Sequence, residues 1–117
     1  MSVTIYHATD SPLLIELKRE LLQLYSKHLR SIILFGSYAR GDFDDESDMD
    51  IMVLLDLDEE EQRFFREKLA ESATKLSLKY GVLISAIDNN YDAFRDRASY
   101  VPFYANVDRE GVRIYAS

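Results

Sequence analysis

The sequence predicts an α/β (α+β) fold, a small mixed β-sheet flanked by helices. Three observations carry this. Short apolar runs, SIILFG at 31–36, DMDIMVLLD at 48–56 and VLISAID at 82–88, read as buried strands bounded by glycine or acidic residues. Between them, apolar residues recur every three or four positions, the spacing of one helix face. No Pro/Gly/Ser-rich linker and no internal repeat interrupts the order, so residues 1–117 are expected to form a single domain.

Each element has its own local reason. SVTIY at 2–6 reads as a short strand or an arm. Ser11-Pro12 reads as a helix start, with Ser11 as cap and Pro12 at the first helical position. Leu14, Leu17, Leu21, Leu24 and His28 then line one face. Glu59, Glu60 and Glu61 open the next helix, where negative charge suits the positive end of the helix dipole. Its apolar stripe is Phe65, Leu69, Ala73, Leu76 and Tyr80, and Gly81 ends it. DAFRDRAS at 92–99 reads as a short helix ended before Pro102, and GVRIYA at 111–116 as a last short strand. The aromatics Tyr100, Phe103, Tyr104 and Tyr115 serve equally as late-packing core or as a partner surface.

Bulk composition narrows the function classes. The net charge is −7 and 47% of the residues are hydrophobic, with a pI near 4.7. An acidic chain is a poor general binder of DNA or RNA, because phosphate contact needs surplus Lys and Arg. There is no cysteine, which excludes disulfides and thiolate chemistry. His7 and His28 are isolated, so nothing resembles a zinc site. Neither a signal peptide nor a membrane span is visible, and a cytoplasmic location is expected.

The segment GSYARGDFDDESDMD at 36–50 holds the chemistry. Six carboxylates fall within nine residues, from Asp42 to Asp50. The alternation of acids at Asp42, Asp44 and Glu46 is not a calcium loop, since Ser47 stands at the position of the sixth-place glycine and Val53 at that of the closing glutamate. Asp42, Asp44, Asp45 and Glu46 read as a solvated surface loop, and Arg40 as either a phosphate contact or a surface side chain. Asp48 and Asp50 are different. Two apart on a strand, they face the same way, and without a counter-charge one should be hard to ionise. A divalent cation removes that penalty, and Mg²⁺ accepts oxygen ligands while leaving positions that phosphate oxygens fill. Gly36-Ser37, at the end of a strand, offers backbone N–H groups and a hydroxyl to a phosphate that small residues let approach. One turn for a triphosphate beside one strand end for a metal suits phosphoryl or nucleotidyl transfer.

Gly36, Ser37, ten intervening residues, then Asp48-x-Asp50, with Ala39 and Gly41 completing a G-S-x-A-x-G form and Ser47 preceding Asp48, resembles the minimal nucleotidyltransferases (MNT) of the polymerase-beta superfamily. The resemblance covers roughly residues 11 to 90. It implies the polymerase-beta type of nucleotidyltransferase fold, ATP as substrate, Mg²⁺ as cofactor, and transfer of AMP to a hydroxyl with release of pyrophosphate. By the same resemblance Gly36 and Ser37 hold the phosphates, and Asp48 and Asp50 are the catalytic metal ligands. Small members resemble the antitoxin half of HEPN–MNT toxin–antitoxin pairs, which implies a HEPN ribonuclease as partner and one of its tyrosines as acceptor.

One position departs from the pattern. The superfamily carries a third carboxylate, the general base, on a later strand, and here that position holds Ser85. Asp88 is the nearest acid, but three residues along a strand should place it on the other face. Either an irregular strand end returns it to the site or the base is missing, which would slow transfer by roughly 10²- to 10⁴-fold. Three functions therefore compete: an adenylyltransferase acting on a HEPN partner, a catalytically weak module that neutralises such a toxin by binding, and an enzyme whose acceptor is a small molecule such as an aminoglycoside.

Overall fold

The structure is a computed structural model and describes residues 11–117. The SVTIY segment and His7 lie outside the described residues. Helix α1 (Pro12–Tyr25) starts at proline as expected and buries Leu13, Leu14, Leu17, Leu21 and Tyr25. Ser11 precedes it with extended backbone, yet its side chain makes no capping hydrogen bond. A 3-10 turn, Ser26–His28, leads into β1 (Leu29–Phe35). His28 therefore sits beyond the helix rather than on its stripe, and its Nδ1 lies 2.8 Å from Asp56 Oδ1.

A four-residue helical turn, α2 (Ser37–Arg40), and a loop connect β1 to β2 (Met49–Leu55). Asp58 and Glu61 then form a reciprocal cap on α3 (Glu59–Tyr80). The Asp58 carboxylate accepts from the Glu61 N–H at 2.8 Å, and the Glu61 carboxylate accepts from the Asp58 N–H at 3.0 Å. Gly81 closes α3 in the left-handed conformation, φ +70°. Strand β3 (Ile84–Asn90) begins two residues later than the apolar run implies. Asn90 ends it and caps α4 (Tyr91–Arg97) by accepting from the Ala93 N–H at 2.9 Å. A further helix, α5 (Pro102–Glu110), occupies what the sequence reading treats as an aromatic tail, and β4 (Val112–Ala116) follows.

The four strands lie in the order β3-β2-β1-β4. Strand β1 is antiparallel to both β2 and β4, and β2 is parallel to β3. Helices cover both faces, which is why β1 and β2 are near-continuous apolar runs rather than alternating ones. On one face Ile32, Leu34, Ile51, Val53 and Leu55 pack with α1 and with Leu69, Ala73 and Leu76 of α3. Lys79 and Lys75 of α3 also reach Glu16 and Glu20 of α1, at 2.8 and 2.6 Å. On the other face Ile33, Met52 and Leu54 pack with Phe94 of α4 and Val107 of α5. Among the described residues no helix is long and apolar enough to cross a membrane.

Gly111 joins α5 to β4 against the centre of β1. A methyl group there would meet the Ile33 side chain and the Val107 carbonyl at contact distances no real side chain shows. Gly111→Ala should destabilise the protein by about 1–3 kcal/mol, the usual cost of overpacking a dense interior. Urea unfolding read by circular dichroism measures it, and an unchanged midpoint would contradict this packing.

Candidate active site

Register sets the site. In the antiparallel β1–β2 pair, Phe35 stands opposite Asp50, so the last residue of one strand meets the carboxylate near the start of the other. The next residue, Gly36, turns the chain with φ +77° and ψ −153°, a combination essentially reserved for glycine. A Cβ on Gly36 would collide with Asp50 Oδ2 and lie 3.4 Å from its Cγ. The absent side chain is thus the space the carboxylate fills. Ser37 opens α2, and Gly41 ends it at φ +85°. Tyr38 is buried and stacks on Phe43, 4.2 Å between ring centroids at 9°, which pins the loop to its own helical turn.

Beyond Phe43 the acidic loop folds on itself. Asp44 Oδ1 accepts from the Glu46 N–H at 2.9 Å and the Ser47 hydroxyl at 3.2 Å, while Ser47 Oγ accepts from the Asp44 N–H at 3.0 Å. Asp42, Asp44, Asp45 and Glu46 are exposed, as a solvated loop should be. Arg40 is also exposed, with its Nε 3.3 Å from Asp42 Oδ2.

Asp48 lies just ahead of β2 and is exposed, whereas Asp50 lies within it and is half-buried. Alternation along β2 puts Asp50 on the same face as Met52 and Leu54, and helices α4 and α5 cover those two. The strand start is less covered, so the acid pair sits at the open end of this face. Burial pushes the Asp50 carboxyl above the usual range, the Asp48 charge adds to the rise, and the Arg40 charge opposes it. Two neighbouring carboxylates, one of them hard to ionise and backed by a turn with no side chain, fit a divalent cation that also takes phosphate oxygens. Among the described residues no third acidic or histidine side chain completes a metal-binding cluster.

The structure answers the question of the third carboxylate. In the parallel β2–β3 pair Ser85 stands opposite Asp50, while Asp88 stands opposite Val53. Val53 belongs to the face packed on α1 and α3. Asp88 therefore points to that face, where Arg66 Nε holds it at 2.9 and 3.2 Å. The same guanidinium reaches Glu59 at 2.8 Å, so Arg66 ties β3 to the first turn of α3. Asp88 has a structural partner and is directed away from Asp50. The buried Tyr25 hydroxyl, which has no hydrogen-bond partner among the described residues, is pushed above the ordinary tyrosine range by burial and by the Asp88 charge. Residues Leu83 and Ile87, two before and two after Ser85, are 62% and 42% exposed.

One part of the site escapes the sequence reading. Helix α5 brings Phe103 and Asn106 beside the Gly36 turn, across a cleft of about 250 Å³. Pro102 at the first helical position and Gly111 just past the last are the usual frame of such a helix, and that signal was present.

Two of the three glycines with positive φ, Gly36 and Gly81, differ in surroundings and give a direct test. Gly81 has open space around its missing Cβ, whereas Gly36 faces Asp50. Gly81→Ala should cost about 1 kcal/mol for the left-handed backbone alone. Gly36→Ala should cost about 1–3 kcal/mol from backbone strain, with the Asp50 collision added. Equal costs in denaturant unfolding would refute the close contact.

Comparison with known proteins addresses the chain as a whole. The family model for the nucleotidyltransferase domain matches residues 14–106. Two proteins of Methanocaldococcus jannaschii, both provisionally named protein adenylyltransferases, are similar. One is 41% identical over 91 residues, 78% of this chain and 83% of its own length. The other is 42% identical over 74 residues, 62% of this chain and 71% of its own. Among solved structures, a mutant MntA toxin–antitoxin complex superposes with a TM-score of 0.58 at 23% identity, covering 89% of this chain and 73% of that one. A toxin–antitoxin crystallised with AMP-PNP superposes with a TM-score of 0.55 at 26% identity, covering 87% and 73%. The family model spans most of the chain, and the chain belongs to the nucleotidyltransferase domain family.

Proposed function

We propose that this nucleotidyltransferase transfers AMP from ATP to a tyrosine hydroxyl of a HEPN-type ribonuclease partner, and so acts as an antitoxin in the cytoplasm. The observation that carries the reading is the close approach of the Asp50 carboxylate to Gly36, which sets the turn beside that acid. Gly36 and Ser37 bind the phosphates through backbone N–H groups and the Ser37 hydroxyl. Asp48 and Asp50 are the residues that would hold Mg²⁺. When bound, that ion would neutralise charge on the phosphates and on the departing pyrophosphate. The acceptor oxygen bonds to the α-phosphorus, the bond from that phosphorus to the bridging oxygen breaks, and pyrophosphate leaves. The relatives' provisional names and the toxin–antitoxin nature of the structural neighbours support a protein acceptor.

Ser85 bears on the acceptor. It cannot serve as a carboxylate base beside Asp50, so the hydroxyl loses its proton to solvent or to a group on the partner. A phenol, with a pKa near 10, ionises far more readily than a serine or threonine hydroxyl. The exposed Leu83 and Ile87 on either side of Ser85 give a protein acceptor apolar surface to meet.

The second reading, a weakly catalytic module that neutralises by binding, is favoured by the orientation of Asp88 toward Arg66. The two readings separate in one assay: α-labelled ATP and Mg²⁺ incubated with the product of the adjacent reading frame. Label should appear on a partner tyrosine, fall about a hundredfold or more in Asp48→Asn and Asp50→Asn, and vanish with EDTA. Intact binding and neutralisation without label would establish the binding reading instead. A further pair of variants locates the missing base. Ser85→Asp should raise the transfer rate by about tenfold or more, whereas Asp88→Asn should leave it unchanged and lower thermal stability. The opposite pattern would make Asp88 the base.

A further inference from the structure

Three arginines from three elements meet on the face of the sheet covered by α4 and α5, at the end remote from the acid pair. Arg30 of β1, Arg95 of α4 and Arg113 of β4 line one cavity with Tyr91, over the buried Leu54 and Phe94. We propose that this cavity binds a single phosphate group. It stands apart from the nucleotide pocket. Arg30 and Phe35 lie near opposite ends of β1, roughly 16 Å apart at about 3.3 Å per residue, and Asp50 is opposite Phe35.

Two breaks in strand register aim the arginines. Between Leu29 and Ser31, β1 advances two residues while β2 moves only from Leu55 to Leu54. Arg30 is the extra residue. In a regular strand it would share a face with Ile32 and Leu34 and enter the core beneath α1 and α3. The bulge turns it to the other side, where its guanidinium carbon lies 4.3 Å from the centre of the Tyr91 ring. The second break is in β4, which runs from Arg113 to Tyr115 while β1 moves only from Ile33 to Ile32. Ile114 and Tyr115 both pack with the α1 and α3 cluster, so Arg113 is left opposite Ile33, on the face of α4 and α5. Each bulge interrupts a ladder, and each delivers an arginine to the same cavity.

The chemistry of the lining selects the ligand. A guanidinium is always charged, and its N–H donors form a fork that matches phosphate oxygens. The Tyr91 ring holds two of the three, with Arg30 at 4.3 Å and Arg95 at 5.9 Å from its centre, so both are placed before a ligand arrives. Among the described residues neither is ion-paired with a carboxylate. Arg113 Nη2 lies 2.8 Å from Asp108 Oδ1, which leaves its other N–H donors for an anion. The apolar floor of Leu54 and Phe94 keeps water from one side and strengthens the attraction. The volume is about 70 Å³. That admits one tetrahedral oxyanion and is far below the roughly 300 Å³ of pockets that enclose larger ligands.

Two-dimensional proton–nitrogen NMR tests the site, with inorganic phosphate titrated in without Mg²⁺ and ionic strength held by sodium chloride. Saturable shifts are expected at Arg30, Tyr91, Arg95 and Arg113. Arg30→Gln and Arg95→Gln should each weaken phosphate binding about tenfold or more, the usual effect of losing a hydrogen bond to a charged group. Arg63→Gln, the same loss of charge at an exposed position of α3, should leave it unchanged. Arg95 is exposed, so its variant should fold, as an unchanged thermal midpoint without phosphate would report. Glycerol 3-phosphate distinguishes the source: binding as tight as that of inorganic phosphate, or tighter, assigns a phosphate monoester, and weaker binding assigns the free anion. Shifts that do not saturate, an equal loss in Arg63→Gln, or shifts confined to residues 36–41 would overturn the site.

Discussion

The contact of a bare backbone turn with the Asp50 carboxylate governs the rest of the site. It needs three things at once: the antiparallel register that sets Phe35 opposite Asp50, a backbone conformation open only to glycine, and a strand that delivers Asp50 to the face away from α1 and α3. Moving β2 by one residue would turn Asp50 toward the core face packed on α1 and α3. Burial of the apolar run Ile51–Leu55 on both faces, and its pairing with β1 and β3, oppose that slip. The chemistry at the open end is therefore fixed by packing at the closed end.

The same two-faced sheet divides the acidic residues by duty. Asp58 and Glu61 close a helix start, Glu16 and Glu20 join two helices, and Asp88 clamps a strand through Arg66. Each has a donor or a cation. The charges that act on Asp50 are those of Asp48 and Arg40, and Arg40 is engaged with Asp42.

Much of this was legible before any coordinates. Glycine and acid boundaries mark β1 and β2, the triplet Glu59–Glu61 and Gly81 bracket α3, and the period of two along a strand predicts that Asp88 leaves the Ser85 face. What was not legible depends on partners distant in sequence. Only the parallel register of β3 shows that Ser85 is opposite Asp50. Only the sheet order brings α5 beside the Gly36 turn, so Phe103 reads as a stray aromatic until the β1–β4 pairing folds it back. His28 kept its helical spacing in sequence while the chain had already left the helix at Tyr25. Ser11 has the residue type of a cap without the side-chain bond, since type sets capacity and local geometry decides its use.

Strand β3 has one further consequence, for behaviour at high concentration. It is an end strand of the sheet, and its Ile87 and the preceding Leu83 are exposed to water. An uncovered border of this kind is a template on which another chain can add a strand. A net charge of −7 keeps copies apart. Acidifying toward the pI near 4.7 removes that repulsion, and the sheet border is then where colloidal association should begin.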